Sequence, residues 1–184
     1  MGRPKGFTRE DVLQKAMSVF WERGYGDTSL RDLETATGVD RSGLYTEFND
    51  KEDLFLATLR HYLQNRGGVA ILSASPLGLS NVQRFLEICQ TSVDGLKGCF
   101  SVNSMREVAV LPAEAQTIMA SSQDALKRLL VKNIKAELPN SDASLIADMA
   151  LTLFSGLCIE QNLGTSNSAS SRKINGFMRS MRAL

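Results

Sequence analysis

The chain has 184 residues, 43% of them apolar, with 21 Lys and Arg against 20 Asp and Glu and a formal net charge of +1. That length and apolar content can bury a proper core, as one domain or as a small head fused to a larger body, while the near-neutral balance carries little information about partners. No apolar run approaches the roughly 20 residues that cross a bilayer, and the polar N-terminus lacks the apolar segment of a signal peptide, so a cytoplasmic protein without a membrane partner is expected.

In chain order, Gly2-Arg3-Pro4-Lys5-Gly6 is a short basic tail able to reach a nucleic-acid backbone or minor groove, or else a solvated terminus. Val12, Ala16, Val19 and Phe20 form one stripe of a first helix, which Arg23-Gly24-Tyr25 ends. A second, short helix is predicted from Ser29 to about Thr37: Thr28 or Ser29 caps it, Asp32 can reach back to the free amides, and Leu30, Leu33 and Ala36 share a face. Gly38 makes the turn, Val39 is apolar, and Asp40 caps a third helix from Arg41 to Phe48. Leu44 and Phe48 fix that helix to the core and leave Arg41, Ser42, Gly43, Tyr45 and Thr46 mostly outward. This is the layout of a helix-turn-helix, with the third helix as candidate reader of double-stranded DNA. Asn49 and Glu52 repeat the capping pattern, so a further helix begins near Lys51.

The segment G-V-D-R-S-G-L-Y-T-E-F-N-D-K-E-D-L resembles the signature of the TetR/AcrR family of bacterial transcriptional regulators, with Gly38, Val39, Leu44, Tyr45, Phe48, Lys51 and Leu54 in the family's positions. The similarity runs from about Phe7 through Leu63. It implies an all-α fold: an N-terminal three-helix helix-turn-helix head, residues 1–66, and a C-terminal helical ligand-binding and dimerisation body, residues 67–184. It also implies that Tyr45 and Lys51 contact phosphates, Lys51 aided by its place at a helix N-terminus. Arg41, Ser42 and Gly43 would then face the major groove, with Arg41 on guanine or on phosphate. Arg3, Lys5, Thr28, Ser29 and Thr46 complete the candidate DNA-binding set.

Three residues depart from the family pattern. Gly43 stands where Thr is frequent and lowers helix propensity by about 1 kcal/mol. Glu34 replaces a small residue, and Glu47 brings an acid close to the expected DNA backbone. Residues 1–66 hold ten Lys or Arg against eleven Asp or Glu. The head therefore lacks a basic footprint, which points to modest affinity and readout by a few placed charges. The same departures raise a second reading, a TetR-like protein with weakened DNA binding that acts through a protein partner.

Beyond Arg66 the pattern stays helical. Gly67 and Gly68 end the head, and Ser73 to Leu79 breaks the chain before a helix from about Ser80 to Gly95 with the stripe Val82, Phe85, Leu86, Cys89 and Val93. A turn bracketed by Gly95 and Gly98 leads to a short helix, Val102 to Leu111, stopped by Pro112. Ala113 to Leu138 keeps helical spacing over many turns and is the longest helix of the body. Pro139 ends it, Ser141 or Asp142 caps the next, and Ile146 to Ile159 is apolar on nearly every face, so it must be covered on both sides. A Ser- and Asn-rich linker, Gly164 to Ser171, precedes a last helix, Ser171 to Leu184, with the stripe Ile174, Phe177, Met178 and Met181. These last two helices are the expected homodimer surface, the arrangement the resemblance implies, with intramolecular packing as the alternative use of the stripe.

The resemblance also implies an inducer pocket in the region from Ser80 to Ile159. Phe85, Cys89, Cys99, Phe100, Met105, Met119 and Phe154 are candidates to line it, with Asn103 and Gln116 supplying polarity. Cys89 and Cys158 lie on apolar faces and read as core residues. Cys99 follows Lys97 and Gly98 in a turn leading toward a helix, where a cation and helix amides would favour thiolate. Its G-C-F context is similar to a segment of regulators of this type, some of which sense oxidants or electrophiles through cysteine. One histidine, His61, and dispersed cysteines offer no metal-ligand spacing, and neither G-x-S-x-G nor a phosphate loop occurs. No metal, cofactor or enzymatic activity is expected.

Overall fold

The structure, a computed structural model, describes residues 7–92 and 95–183, so Arg3, Lys5 and Val93 lie outside the described residues. All regular structure among the described residues is helical. α1 (Arg9–Asp27) opens on a capping box between Thr8 and Asp11. It breaks at Gly24, where φ is 83°, at the predicted stop, and a further turn runs on to Asp27. The Glu107 carboxylate accepts the Gly26 N–H at 2.9 Å. A Cβ on Gly24 would lie 1.8 Å from Glu107 Oε1, so both the backbone angle and the close approach require glycine.

α2 (Leu30–Thr37) has the predicted capping box, Ser29 with Asp32, and ends at Gly38 with φ 73°. α3 (Arg41–Glu47) is capped by Asp40, which accepts the Gly43 N–H at 2.7 Å. At α4 (Lys51–Asn65) the expected pair Asn49 and Glu52 gives way to Asp50 and Asp53. The Asp50 carboxylate accepts the Asp53 N–H at 2.8 Å, and Asp53 in turn accepts the Asn49 N–H at 3.0 Å.

The body holds α5 (Gly68–Leu72), an extra turn that the sequence did not predict, α6 (Leu79–Glu87), α7 (Phe100–Ser104), α8 (Ala113–Glu137), α9 (Ala143–Asn162) and α10 (Asn167–Arg182). α6 ends in a 3-10 turn at Gln90, short of the predicted Gly95, because the Ile88 carbonyl is occupied by the Thr91 amide, the Thr91 hydroxyl and the Arg66 guanidinium. α7 begins at Phe100 rather than Val102 and gives way after Ser104 to a 3-10 turn, Met105–Glu107. α10 starts before the predicted Ser171, since the Ser166 hydroxyl caps it by accepting the Ala169 N–H.

One continuous apolar core joins the N-terminal helices to the body. Its centre is aromatic: the Phe100 ring lies 5.8 Å from Trp21, 5.8 Å from Phe55 and 5.7 Å from Tyr62. Buried Asn133 in α8 holds the α5–α6 connection, accepting from Gly78 N–H and Asn81 Nδ2 and donating to the Leu72 carbonyl. α9 corrects one expectation. Its 20 residues, with a mean hydropathy of 1.5 over an 18-residue stretch, are long and apolar enough to span a bilayer, because Ala143 and Leu145 extend the apolar pattern ahead of the Ile146–Ile159 run. Part of this helix is covered within the chain by α6, α7 and α8, and Asp148 pairs with Lys127 at 2.7 Å.

Candidate DNA-reading surface and internal cavity

Leu44 and Phe48 are buried and seat α3 on the core, which turns Arg41, Ser42, Tyr45 and Thr46 into solvent. The Arg41 guanidinium lies 5.3 Å from the Tyr45 ring centroid on the outer face, a weak pairing in water that either side chain can leave. Gly43 presents backbone only, and a Cβ there would come within 2.6 Å of Val39 Cγ1, so a larger residue requires the Val39 side chain to shift. The acid of Glu47 is answered by Arg9, whose Nη1 lies 3.7 Å from Oε2 and donates to the Glu47 carbonyl at 3.0 Å. Ser29 is exposed and its hydroxyl is engaged in the cap with Asp32.

Thr28 does not belong to this surface. It is 2% exposed, and its hydroxyl turns inward to donate to the Gly24 carbonyl at 2.6 Å. Lys51 is half-buried: its ammonium donates to the carbonyls of Tyr25 at 2.8 Å and Thr28 at 2.9 Å, and lies 4.4 Å from the Tyr25 ring centroid. It ties the start of α4 to the α1–α2 connection, and one of the three ammonium protons is left for an anion.

A cavity of about 70 Å³ lies between α4, α6, α7, α8 and α9, and Phe85, Cys99, Met105, Met119 and Phe154 line it. Four candidates fall elsewhere. Phe100 is consumed by the aromatic core; Cys89 faces a separate, polar hollow with Gln90 and Gln161; Asn103 accepts from Asn162 Nδ2; exposed Gln116 donates to the Val108 carbonyl. The polar wall is instead made by Tyr62 of α4 and Arg66 at its C-cap, with Ser101, Ser122, Gln123 and Ser155 nearby. Arg66 Nε is buried with no hydrogen-bond partner, and the buried Tyr62 hydroxyl, which meets no nitrogen or oxygen partner, is turned to the Cys99 sulfur. Arg66 is fixed by donating to the carbonyls of Ile88 at 2.8 Å and Gly98 at 3.2 Å, and pairs with no carboxylate among the described residues. Only the spacing of four on α4, just past the helix-turn-helix, was available in the sequence to flag these two.

Cys99 sits at the mouth of α7 within reach of Cys158 and Tyr62. The Cys158 thiol, donating to the Cys99 sulfur, pulls the Cys99 pKa below that of an ordinary thiol against the opposing effect of burial; Tyr62, the Val102 amide and Arg66 act in the same lowering direction. The cost falls on the partners: Cys158 is pushed up because its proton is held by Cys99, and Tyr62 is pushed up by burial. Cys89 rises to about 11 through burial. The cation beside Cys99 is thus Arg66 rather than neighbouring Lys97, and Cys158 is a hydrogen-bond donor as well as a core residue. All three cysteines are free, and no group of three His, Cys, Asp or Glu among the described residues is placed to hold a metal.

On the outside, α9 shows one exposed row, Leu145, Met149, Thr152, Gly156, Ile159 and Leu163. The spacing alternates between four and three residues, as in the seam of two packed helices. On α10, Ile174, Met178 and Met181 are buried within the chain, so most of the stripe serves intramolecular packing; half-buried Phe177 reaches a groove of about 520 Å³ shared with Leu145, Ile146, Met149 and Met181.

A family profile described as bacterial regulatory proteins, tetR family, matches residues 12–58. The HTH-type transcriptional repressor ComR of Escherichia coli (strain K12) is 30% identical over 177 residues, covering 90% of this chain and 84% of that protein. A cysteine-substituted form of the TetR family regulator CifR, complexed with 26-bp double-stranded operator DNA, superposes with a TM-score of 0.82 at 25% identity over 97% of this chain and 98% of that one. The reduced form of Escherichia coli NemR shares the fold, with a TM-score of 0.78 at 18% identity over 92% of this chain and 94% of that one.

Proposed function

Because this chain belongs to the TetR family of bacterial transcriptional regulators, we propose that it is a ligand-responsive repressor that binds a palindromic operator as a homodimer and leaves it when a small-molecule inducer occupies the cavity. The observation that carries the reading is α3: seated by Leu44 and Phe48 and capped at its start by Asp40, it offers Arg41, Ser42, Tyr45 and Thr46 outward, while Lys51 at the start of α4 ties that helix to the α1–α2 connection. Residues 1–66 form the DNA-binding unit and residues 67–184 the regulatory one. Arg41 meets a base edge or phosphate, Tyr45 and the remaining Lys51 proton meet phosphate, and Ser42, Thr46, Ser29 and the Gly43 backbone complete the contact; Arg3 and Lys5 extend it along the duplex. That CifR is bound to operator DNA, and that ComR is a repressor, supports the assignment. With Arg9 beside Glu47, one motive for the partner-protein alternative is removed. The protein is cytoplasmic, holds no cofactor and turns over no substrate.

The dimer forms through the exposed row of α9 with Phe177 of α10. Gly156 sits mid-row with nothing within 4 Å of its Cβ position, which suits close helix approach across a two-fold axis. Two heads then read half-sites about 34 to 36 Å apart, or a multiple of that. The cavity speaks to the head through one short segment: Cys99, Ser101, Val102 and Met105 face the ligand, while Glu107, at the end of the same segment, grips the end of α1 at Gly24 and Gly26. An inducer that displaces this segment shifts the heads, and operator affinity falls by its differential binding energy for the two states.

The test is titration of the purified protein against its own upstream DNA at two salt concentrations with nonspecific competitor, alongside Arg41→Ala and Tyr45→Ala. Saturable, salt-weakened binding to a symmetric footprint is expected, with each variant costing about 1–3 kcal/mol of affinity while the dimer persists. Unchanged binding by both variants would overturn the role of α3.

A further inference from the structure

Resting on the inducer reading above, we propose that the cavity takes a short-chain monocarboxylate of about four or five carbons, its chain against Phe85, Met119 and Phe154 and its carboxylate on Arg66. Arg66 is the one charged residue lining the cavity among the described residues. Its Nη atoms donate to the Ile88 and Gly98 carbonyls and the Thr91 hydroxyl, all neutral groups, and its Nε is buried with no acceptor. No carboxylate among the described residues pairs with it. A guanidinium drawn out of water and met only by neutral groups lacks one negative charge and one acceptor, and a carboxylate supplies both. Tyr62 does not compete for the ligand, since its hydroxyl is turned to the Cys99 sulfur. The second carboxylate oxygen has the Ser101 hydroxyl on the same wall, on a residue 6% exposed whose hydroxyl bonds no other group among the described residues. Charge and size narrow the class further. A phosphate or dicarboxylate brings a second charge that no lining residue matches, and at about 10–15 Å³ for one water a cavity of about 70 Å³ holds about five to seven non-hydrogen atoms.

The place of Arg66 gives the ligand's charge a route to the head. Arg66 is the C-cap of α4, the helix that leaves the helix-turn-helix, and it holds both the end of α6 through Ile88 and the approach to α7 through Gly98. A carboxylate on the guanidinium competes with those carbonyls, being the stronger acceptor, and the bond to Gly98, at 3.2 Å against 2.8 Å for Ile88, is the longer of the two. Gly98 leads directly into α7 and the turn that ends at Glu107, whose carboxylate bonds the Gly26 N–H of α1. Binding of the acid therefore acts on the segment that the head rests on.

The full chain is titrated with sodium isovalerate by calorimetry and thermal melting, with isovaleramide as the neutral isostere and octanoate as the overlong acid. One isovalerate per chain is expected, with isovaleramide roughly 10- to 100-fold weaker, as for loss of a charge-assisted hydrogen bond, and octanoate excluded. Arg66→Gln should erase the preference for acid over amide. Where that variant does not fold, because Arg66 also ties the Ile88 and Gly98 carbonyls, Ser155→Leu leaves Arg66 in place, fills the cavity from α9 and should abolish isovalerate binding. No saturable binding of isovalerate, equal affinity for acid and amide, octanoate bound as tightly, or isovalerate binding undiminished in Ser155→Leu would each overturn the proposal. Saturating isovalerate should release operator DNA while isovaleramide at the same concentration does not, and operator retained by the saturated protein would overturn the acid's role as inducer. Calorimetry needs no DNA. A chain that binds isovalerate but never its operator therefore sinks the repressor reading and leaves the ligand assignment standing.

Discussion

The molecule carries the same pair of side chains twice. On α3, Arg41 and Tyr45 stand four residues apart, with the guanidinium 5.3 Å from the ring centroid; on α4, Tyr62 and Arg66 stand four apart, at 5.9 Å. The first pair is in water and the second lines a cavity. In water the pair is free to move onto a phosphate or base edge, and its own stacking is worth little. In the interior the pair is held in place, Arg66 by the Ile88 and Gly98 carbonyls and the Tyr62 hydroxyl by the Cys99 sulfur, which leaves Arg66 Nε turned to no acceptor. Identical local chemistry thus yields a surface contact or a binding pocket according to what packs over it, and here the difference is made by Phe100 and the α7 segment.

Phe100→Ala breaks the comparison most directly. Its ring touches Trp21, Phe55 and Tyr62 together, so truncation should cost about 3–5 kcal/mol in urea unfolding and leave the cavity no longer separate from the core. A loss below about 1 kcal/mol would mean that head and body do not share a cooperative centre. Gly24→Ala should act next: the positive φ alone costs about 1–3 kcal/mol, and the Glu107 carboxylate occupies the space of the new methyl. Adding Glu107→Ala should recover the steric part only, and a double-mutant cycle in thermal or urea unfolding separates the two. A fully additive cycle would show that the carboxylate and the glycine are not coupled.

The smallest effect sharpens the buried half of the comparison. Cys99 is held below the ordinary thiol range by Cys158, Tyr62, the Val102 amide and Arg66, so its thiolate fraction is higher at any given pH. The midpoint of its alkylation rate should lie below about 8.5, the value of a free thiol. Cys158→Ala removes the largest lowering contribution and should move that midpoint upward. No displacement on removing Cys158 would assign the shift to another neighbour.

The chain by itself determined everything that acts within about one helical turn. Ser29 with Asp32, Gly38, and Asp40 before Arg41 are local hydrogen-bond and φ requirements, so the helix-turn-helix and the long α8 and α9 were legible with boundaries within a few residues. The exposed face of α3 followed from Leu44 and Phe48 alone. Phe85, Met105, Met119 and Phe154 were also legible as apolar positions on helices, and Cys99 as a residue of the turn before one. The tertiary structure alone decided which side of a local feature met water: that Thr28 turns inward to Gly24, that Lys51 bonds the Tyr25 and Thr28 carbonyls, that α6 stops where Arg66 takes the Ile88 carbonyl, and that α9 keeps one face bare. It also brought Tyr62, Arg66, Cys99 and Cys158 together from α4, the start of α7 and α9. Capping and helical periodicity are written in residues three or four apart. Burial, desolvation and the pairing of a thiol with a distant thiol depend on contacts between helices, which no short window of sequence contains.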